Sequence, residues 1–352
     1  MLDNLRKILH NYYRKEINMT LKQVAEEVGV SISTVSRVIN QKNPHAASPE
    51  IQKKIWDAVQ KLNYSTPTLR NKLIASSTPV IACLFARDTK TVTDNPFFTG
   101  IAQNFEKLAL SMNFSTKHYF TTFDIYESNF EKIMSDDISG ILIIGRHRQD
   151  LVQKLYPRVK NIVYAGLMPP VSDVYDTVTC DAYKIGIAAA EYFVSKNHKD
   201  IGFIGETENE IRYSGFYDGL RNAGIPITSD WVINIQASME NGYVGMKKLL
   251  AQKKRPSAVF CMNDYLAVGA IRAMHDESIS IPEEMSIMGV DDIEATAFTT
   301  PKLTTIHTPM RELGEIAAKV LIDKITGGHS ININVSLPFH IVERESCTKK
   351  AD

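Results

Sequence analysis

The stretch Val30-Ser-Ile-Ser-Thr-Val-Ser-Arg-Val-Ile-Asn40 decides how the front of this chain folds. Ser31 stands where a helix N-cap belongs, and Val35, Val38 and Ile39 follow at helical spacing. Residues after Ser31 therefore read as a short helix with one apolar face. Its other face carries Ile32, Ser33, Ser36 and Arg37. Upstream, Thr20 and Gln23 form a capping box, each side chain satisfying an orphan amide at the start of a helix. The apolar face of that helix is Leu21, Val24, Ala25 and Val28, and Gly29 closes it in the left-handed conformation. Downstream, Ser48-Pro49 begins a third helix whose stripe is Ile51, Ile55, Ala58, Val59 and Leu62. Three short helices with such tight joints suit a helix-turn-helix module. A small helical bundle with no nucleic-acid role would share the caps.

Charge separates these two readings. Residues 1–78 hold twelve Lys or Arg against six Asp or Glu. Out of 40 basic and 40 acidic residues in all, that leaves 28 basic and 34 acidic in the remainder. A neutral chain thus has a basic head and an acidic body, and a basic head is the electrostatic footprint of a phosphate-binding surface. At 352 residues the chain suggests two or three domains. Hydrophobic content of 44% and charged content of 23% are ordinary for a globular protein.

Several classes are disfavoured. No apolar run approaches the roughly 20 residues that span a bilayer. Met1-Leu-Asp-Asn-Leu-Arg-Lys lacks the apolar core of a secretory signal, so a cytoplasmic protein with no membrane partner is expected. Cys83, Cys180, Cys261 and Cys347 are far apart, and three sit in apolar runs, which points to buried reduced thiols. No zinc spacing, Gly-rich phosphate loop or Gly-x-Ser-x-Gly occurs, so no metal, cofactor or enzymatic activity is expected.

Beyond Pro79 the pattern alternates. Apolar runs read as strands at 80–86, 140–145, 162–165, 201–205, 258–262 and 285–290. Amphipathic stretches at 100–112, 183–196, 212–223, 243–250 and 264–277 separate them. Buried strands alternating with helices give parallel sheets, here two doubly wound lobes. Ligands in such folds bind at the carboxyl ends of the strands. Asn263 and Asp291 fall at such ends, and Phe97 and Phe98 open the first helix, either as a stacking face or as core. Asp264 reads as the cap of the helix that follows, and Asp292 has either role. Arg146-His147-Arg148 reads as a solvated loop, with the cleft as the alternative. Between head and body, Thr66 can cap and Pro67 can start a two-turn helix, too short to persist unaided and suited to folding when docked. In residues 1–18, Leu2, Leu5, Ile8, Leu9 and Tyr12 line one face of a peripheral appendage.

Residues 19–40, with Asn95-Pro-Phe-Phe98, Asn263-Asp264, Gly289-Val-Asp-Asp292 and Pro301-Lys-Leu-Thr-Thr-Ile306, resemble the LacI/GalR family of transcriptional regulators. The resemblance runs from Met19 almost to the C-terminus. It implies an α plus α/β fold, with an N-terminal three-helix helix-turn-helix domain at 19–64 and a hinge helix at 65–78. Two doubly wound, periplasmic-binding-protein-like lobes follow over 79–346. The first takes about 79–178 plus 308–336, the second about 179–307 plus 337–346, and 347–352 form a tail. By resemblance, Ile32, Ser33 and Arg37 read bases, and Leu73 of the hinge wedges into the minor groove. Thr20, Ser31, Thr34, Ser36 and Asn40 suit phosphate contacts, which position the protein without reading sequence. For Arg37, a bidentate contact to guanine competes with a phosphate contact or a solvated side chain. Resemblance makes Arg212 the anchor for effector oxygens. The implied function is a repressor of a carbohydrate-utilisation operon, acting as a homodimer on a near-palindromic duplex and switched by a sugar such as galactose or a galactoside. A purine or nucleoside effector, or a sugar-binding protein without regulation, are the alternatives. Two departures are visible: proline stands at 67, one place later than in the family, and Met310 replaces a late aromatic. The chain ends without a leucine heptad tail, which favours a dimer over a tetramer.

Overall fold

A computed structural model describes residues 21–39, 47–61, 78–86, 95–120, 133 and 135–351. The N-terminal appendage, Thr20, Asn40, the expected hinge helix and its Leu73 lie outside the described residues.

The head contains α1 (Leu21–Val28), α2 (Ile32–Ile39) and α3 (Pro49–Lys61). Gly29 has φ 72°, and the Val30 N–H returns to the Ala25 carbonyl at 3.0 Å, which closes α1. One residue later Ser31 caps α2, its Oγ accepting from the Thr34 N–H at 3.1 Å. Ser48 does the same for α3, with Pro49 as the first helical residue. The apolar faces meet in a core of Val24, Ala25, Val35, Val38, Ile39, Ile55 and Ala58. Full burial of Val24, Val35 and Ile55 contributes about 1.5–3 kcal/mol each.

The body alternates strand and helix. Its elements are β1 (Val80–Phe85), α4 (Pro96–Ser111), β2 (Ser115–Phe120), β3 (Gly140–Ile144), α5 (Gln149–Leu155), β4 (Ile162–Gly166), β5 (Asp176–Cys180) and α6 (Ala182–Ser195). There follow β6 (Ile201–Gly205), α7 (Ile211–Asn222), β7 (Val232–Asn234), α8 (Met239–Leu250), β8 (Ala258–Cys261), α9 (Asp264–Asp276), β9 (Ser286–Asp291), β10 (Thr304–His307), α10 (Met310–Ile325), β11 (Asn334–Leu337) and β12 (His340–Val342). The first sheet has the order β11-β5-β4-β3-β1-β2, with every neighbour parallel. The second has the order β12-β10-β9-β8-β6-β7 and is parallel except for β12, which runs antiparallel to β10. Central strands such as β3 and β6 are buried along their whole length, as sheets covered on both faces require.

The chain passes between the sheets at Asp181, at Thr308-Pro309 and at Pro338-Phe339. Two details differ from expectation. The strand ending at Cys180 and the strand ending at Leu337 both belong to the first sheet, so each crossing falls slightly later than placed from sequence.

Helix pairs cover the sheets at very short range. A Cβ at Gly186 of α6 would stand 2.0 Å from the Arg212 carbonyl oxygen of α7, and one at Gly215 of α7 would stand 2.0 Å from the Tyr183 oxygen of α6. The two backbones approach because neither residue has a side chain. This contact fixes the first turn of α7, which carries Arg212. Gly186→Ala should lower the denaturant-unfolding free energy by about 1–3 kcal/mol, the usual effect of overpacking. An unchanged midpoint would show that the helices are not held this closely.

Candidate functional site

A cavity of about 180 Å³ opens between the two lobes at the carboxyl ends of their strands. From the first lobe it is lined by Asn95, Phe97 and Phe98 at the start of α4, by Gly145 and Arg146 after β3, and by Tyr164, Gly166, Leu167 and Met168 around the end of β4. The second lobe supplies Glu206 after β6, Glu210 and Arg212 at the start of α7, Gln236 and Ala237, Met262 and Asn263 after β8, and Asp291 ending β9. Each is delivered by a strand end or a helix start, the geometry of the doubly wound fold.

At the centre lies Glu210, whose side chain is 1% exposed. It caps α7 by accepting from the Arg212 N–H at 3.1 Å. It also accepts from Arg212 Nε at 2.7 Å and Nη2 at 3.1 Å. From the other lobe, Arg146 Nη2 donates to it at 2.8 Å, while Arg146 Nη1 reaches Glu206 at 3.2 Å. Arg212 Nη1 donates to the Met262 carbonyl at 3.1 Å. Burial alone would raise the Glu210 carboxyl, but Arg212 and Arg146 hold it below its ordinary value. Burial would likewise lower Arg212, and Glu210 more than reverses this.

Asp291 has a different balance. Burial pushes its carboxyl up to about 7, against the opposing charge of Arg212. Its backbone has φ 110° and that of Asp292 has φ 57°, both in territory that favours glycine. These two residues turn the chain sharply, leaving Asp291 on the cavity and sending Asp292 away to His307 Nδ1 and the Arg344 guanidinium. Such strain persists only where surrounding contacts enforce it. One contact is Asp264, fully buried, which accepts from the Ile293 N–H at 3.0 Å and Thr305 Oγ1 at 2.6 Å. The expected cap role of Asp264 is therefore wrong. Asn263 caps α9, its Oδ1 accepting from the Leu266 N–H at 3.1 Å, and it lines the cavity as well. Asp264 is drawn inward because Gly289 leaves room, since a Cβ there would stand 2.1 Å from Asp264 Oδ1.

The expected cleft residues Phe97, Phe98, Arg212, Asn263 and Asp291 thus line one cavity. Phe97 and Phe98 pack edge to face, centroids 5.5 Å apart, and Phe97 is also core. The reading of residues 146–148 as a solvated loop is wrong for two of the three. Arg146 lines the cavity, and His147 is buried with Nε2 3.2 Å from Tyr175 Oη. Only Arg148 is exposed. Glu206, Glu210, Tyr164 and Gln236 were not singled out from sequence. The available signal was position, since Glu206 directly follows a strand and Glu210 directly precedes a helix. Met310 packs near Gly100 and is not among the lining residues. Among the described residues no group of His, Cys, Asp or Glu is arranged to hold a metal ion.

On the head, Ile32, Ser33 and Arg37 are exposed on the outer face of α2, opposite buried Val35, Val38 and Ile39. Ser31 Oγ lies 2.8 Å from both Ser33 Oγ and Thr34 Oγ1, so three hydroxyls cluster at the start of the helix. Thr34 and Ser36 are half-buried.

Two doubly wound lobes around a polar cleft, in a chain headed by a helix-turn-helix module, have the organisation of DNA-binding regulators. Residues 20–67 match the bacterial regulatory proteins of the lacI family, and residues 190–347 match a periplasmic binding protein-like domain. The chain is 30% identical over 340 residues to the HTH-type transcriptional repressor PurR of Erwinia tasmaniensis, covering 93% of this chain and 96% of that one. A CelR–cellobiose complex shares the fold with a TM-score of 0.69 at 24% identity, covering 93% of this chain and 99% of that one. The lac repressor dimer bound to operator and the anti-inducer ONPF does so at 0.68 and 22%, covering 94% and 99%. The chain belongs to the LacI family of bacterial regulatory proteins and is a DNA-binding transcriptional regulator. No helix among the described residues is long and apolar enough to cross a membrane.

Asp291 links the cleft to pH. Its ordinary value is 3.8 and its folded value about 7, so between these the unfolded chain has lost a proton that the folded chain keeps. Stability from this group is present below the lower value and lost as pH rises through the higher, at up to about 1.4 kcal/mol per pH unit. Burial also raises Asp264, in the same sense. Burial lowers His147 to about 4 and lowers His198, which act oppositely over part of this range. The difference between Asp291→Asn and the parent isolates the carboxyl. The melting temperature of the variant relative to the parent should climb from pH 5 to pH 7.5, and a flat difference would show that Asp291 titrates normally.

Proposed function

We propose that this regulator is a repressor whose affinity for operator DNA is switched by a small uncharged ligand, a sugar, held between the two lobes of its body. The observation that carries this reading is the inter-lobe placement of the cavity, with Arg146 of one lobe paired to Glu206 and Glu210 of the other. A ligand seated there touches both lobes and binds one arrangement of them better than another. That difference in affinity is all a ligand needs to shift an equilibrium. The coupling is reciprocal, so operator must change ligand affinity by the same factor.

The cavity is smaller than the roughly 300–1,000 Å³ of drug-sized sites, which suits a single-ring ligand. Carboxylates, guanidiniums and amides around an aromatic edge suit a ring with several hydroxyls. A purine or nucleoside is the second reading, supported by the PurR relatives and by the Phe97–Phe98 pair as a stacking face. On the DNA side, Ile32, Ser33 and Arg37 are the proposed base-reading residues. Thr20, Ser31, Thr34, Ser36 and Asn40 are the proposed phosphate contacts, and Leu73 is the proposed minor-groove wedge. The protein acts as a homodimer on a near-palindromic site, is cytoplasmic and catalyses no reaction. Its domains are those proposed from sequence, with the lobe crossings moved to Asp181 and Pro338.

A duplex selected from a random pool by the intact protein should be near-palindromic. In mobility-shift assays, one member of a panel of sugars and nucleosides should change its binding several-fold, and no response to any member would count against the switch. Arg37→Ala should weaken that duplex by about 1–3 kcal/mol, roughly 5- to 150-fold, and relax the preference at one base pair. A uniform loss across sequences would instead assign Arg37 to phosphate.

A further inference from the structure

Resting on the small-ligand reading above, we propose that Asp292 and His307 are the coupling residues of this regulator: they carry ligand occupancy at Asp291 to two of the three crossings between the lobes, so that operator binding responds to the ligand. Neither is among the residues that line the cavity. Both act through a neighbour that is. Asp291 and Asp292 are consecutive residues at φ 110° and 57°. The peptide between them cannot turn without moving both side chains, and such backbone persists only where contacts hold it. Asp291 lines the cavity, and its Oδ1 accepts from Thr308 Oγ1 at 3.4 Å. Thr308 is fully buried and is itself the first residue of a crossing. Asp292 Oδ2 accepts from His307 Nδ1 at 3.0 Å, and His307 is the last residue before that same crossing.

A second crossing is tied to the same point. His340 is the first residue after Pro338-Phe339 and stands opposite His307 in the antiparallel pairing of β10 with β12. The two rings lie 4.8 Å apart with their planes inclined by 34°. Arg344, just past β12, donates to Asp292 Oδ1, and its Nη1 donates to Thr296 Oγ1 at 3.0 Å and to the Leu303 carbonyl at 2.8 Å. One carboxylate thus joins the turn that bears Asp291, the strand that leaves for the first lobe and the segment that has just returned from it. Hydrogen bonds between charged partners are short, directional and stronger than neutral ones. A ligand that reorients Asp291 must either break them or carry the ends of β10 and β12 along, and carrying them changes the angle between the lobes. Coupling passes through contiguous networks of this kind when both sites bias them. The rival reading is a staple that only fastens the C-terminal segment to its sheet. A staple contributes equally with and without ligand, so it leaves the ratio of the two operator affinities unchanged.

The test uses the full-length protein, the duplex that the parent selects, and galactose, ribose and adenosine as probes. Mobility shifts give duplex affinity with and without each probe, and calorimetry gives probe affinity. Asp292→Asn suits the left-handed backbone, which asparagine tolerates, but removes the charge. His307→Phe keeps a ring against His340 and removes the donor, while His307→Asn returns a donor to about the place of Nδ1. Asp292→Asn and His307→Phe should each bind the duplex and the probe within about threefold of the parent. The several-fold effect of the probe on duplex binding should nevertheless shrink to less than about twofold in both, and His307→Asn should restore it. Glu345→Gln breaks the ion pair to Lys302, which holds the same C-terminal segment at the far end of β10, and should leave the response intact. If Asp292→Asn does not fold, His307→Phe and its asparagine rescue decide alone. A response retained in either variant, not restored by His307→Asn, or lost equally in Glu345→Gln makes the cluster a staple and overturns the assignment, while a ligand-controlled regulator stands. Loss of probe binding itself in His307→Phe makes the cluster part of the binding site and overturns the assignment as well. No response of the parent to any probe overturns the ligand reading and the coupling together.

Discussion

One buried carboxylate organises the cleft. Glu210 draws a guanidinium from each lobe and caps the helix that carries one of them. Burying an ionised carboxylate costs several kcal/mol unless charge and hydrogen bonds compensate. Here compensation comes from both sides of the cleft, so the positions of Arg146 and Arg212 are set by the need to satisfy a group that neither carries. Its location at the start of α7 helps, because backbone N–H groups and the helix dipole favour negative charge there. Arg212 is in turn held by the glycine contact between α6 and α7. Packing at one end and electrostatics at the other thus fix the same side chain.

The opposite wall follows a parallel logic with less charge balance. Gly289 opens space for Asp264, and Asp264 binds the Ile293 N–H and Thr305. This pins the chain just after two consecutive residues of positive φ, Asp291 and Asp292. The adjacent carboxylates then diverge. One lines the cavity, while the other is tied to His307 and Arg344 and fastens the end of β9 to the end of β10 and to the segment after β12. The Asp-Asp pair is thus divided between the cavity wall and the support behind it, so adjacent acids need not point at one place.

What was legible in the sequence depended on how each element is stabilised. The head could be read nearly residue by residue, because caps and glycines mark its helix ends locally. Buried strands such as β3 and β6 were visible as apolar runs. Strands β2, β5 and β11 were not, since Ser115-Thr-Lys-His-Tyr-Phe120, Asp176-Thr-Val-Thr-Cys180 and Asn334-Val-Ser-Leu337 are polar or alternating. Their strand character comes from sheet neighbours that sequence does not display. In the cleft, Asn263 and Asp291 were accessible through their place at strand ends, and Arg212 through the family resemblance. Arg146 was hidden by its neighbours, because an Arg-His-Arg run has the look of a solvated loop until Glu210 supplies a reason for it to turn inward. Asp264 was misassigned because its neighbour Asn263 is an equally good cap, and only the space beside Gly289 distinguishes the two.

The three passages of the chain between the sheets also limit how the body can move. A single tether would let two rigid plates swing and slide freely. With strands leaving at Asp181, Thr308 and Pro338, translation of one plate past the other would stretch at least one tether. Bending and twisting about the tethers remain, which is hinge motion rather than shear. A molecule lodged between the lobes would therefore act as a wedge in a pair of jaws, converting its own width into an angle.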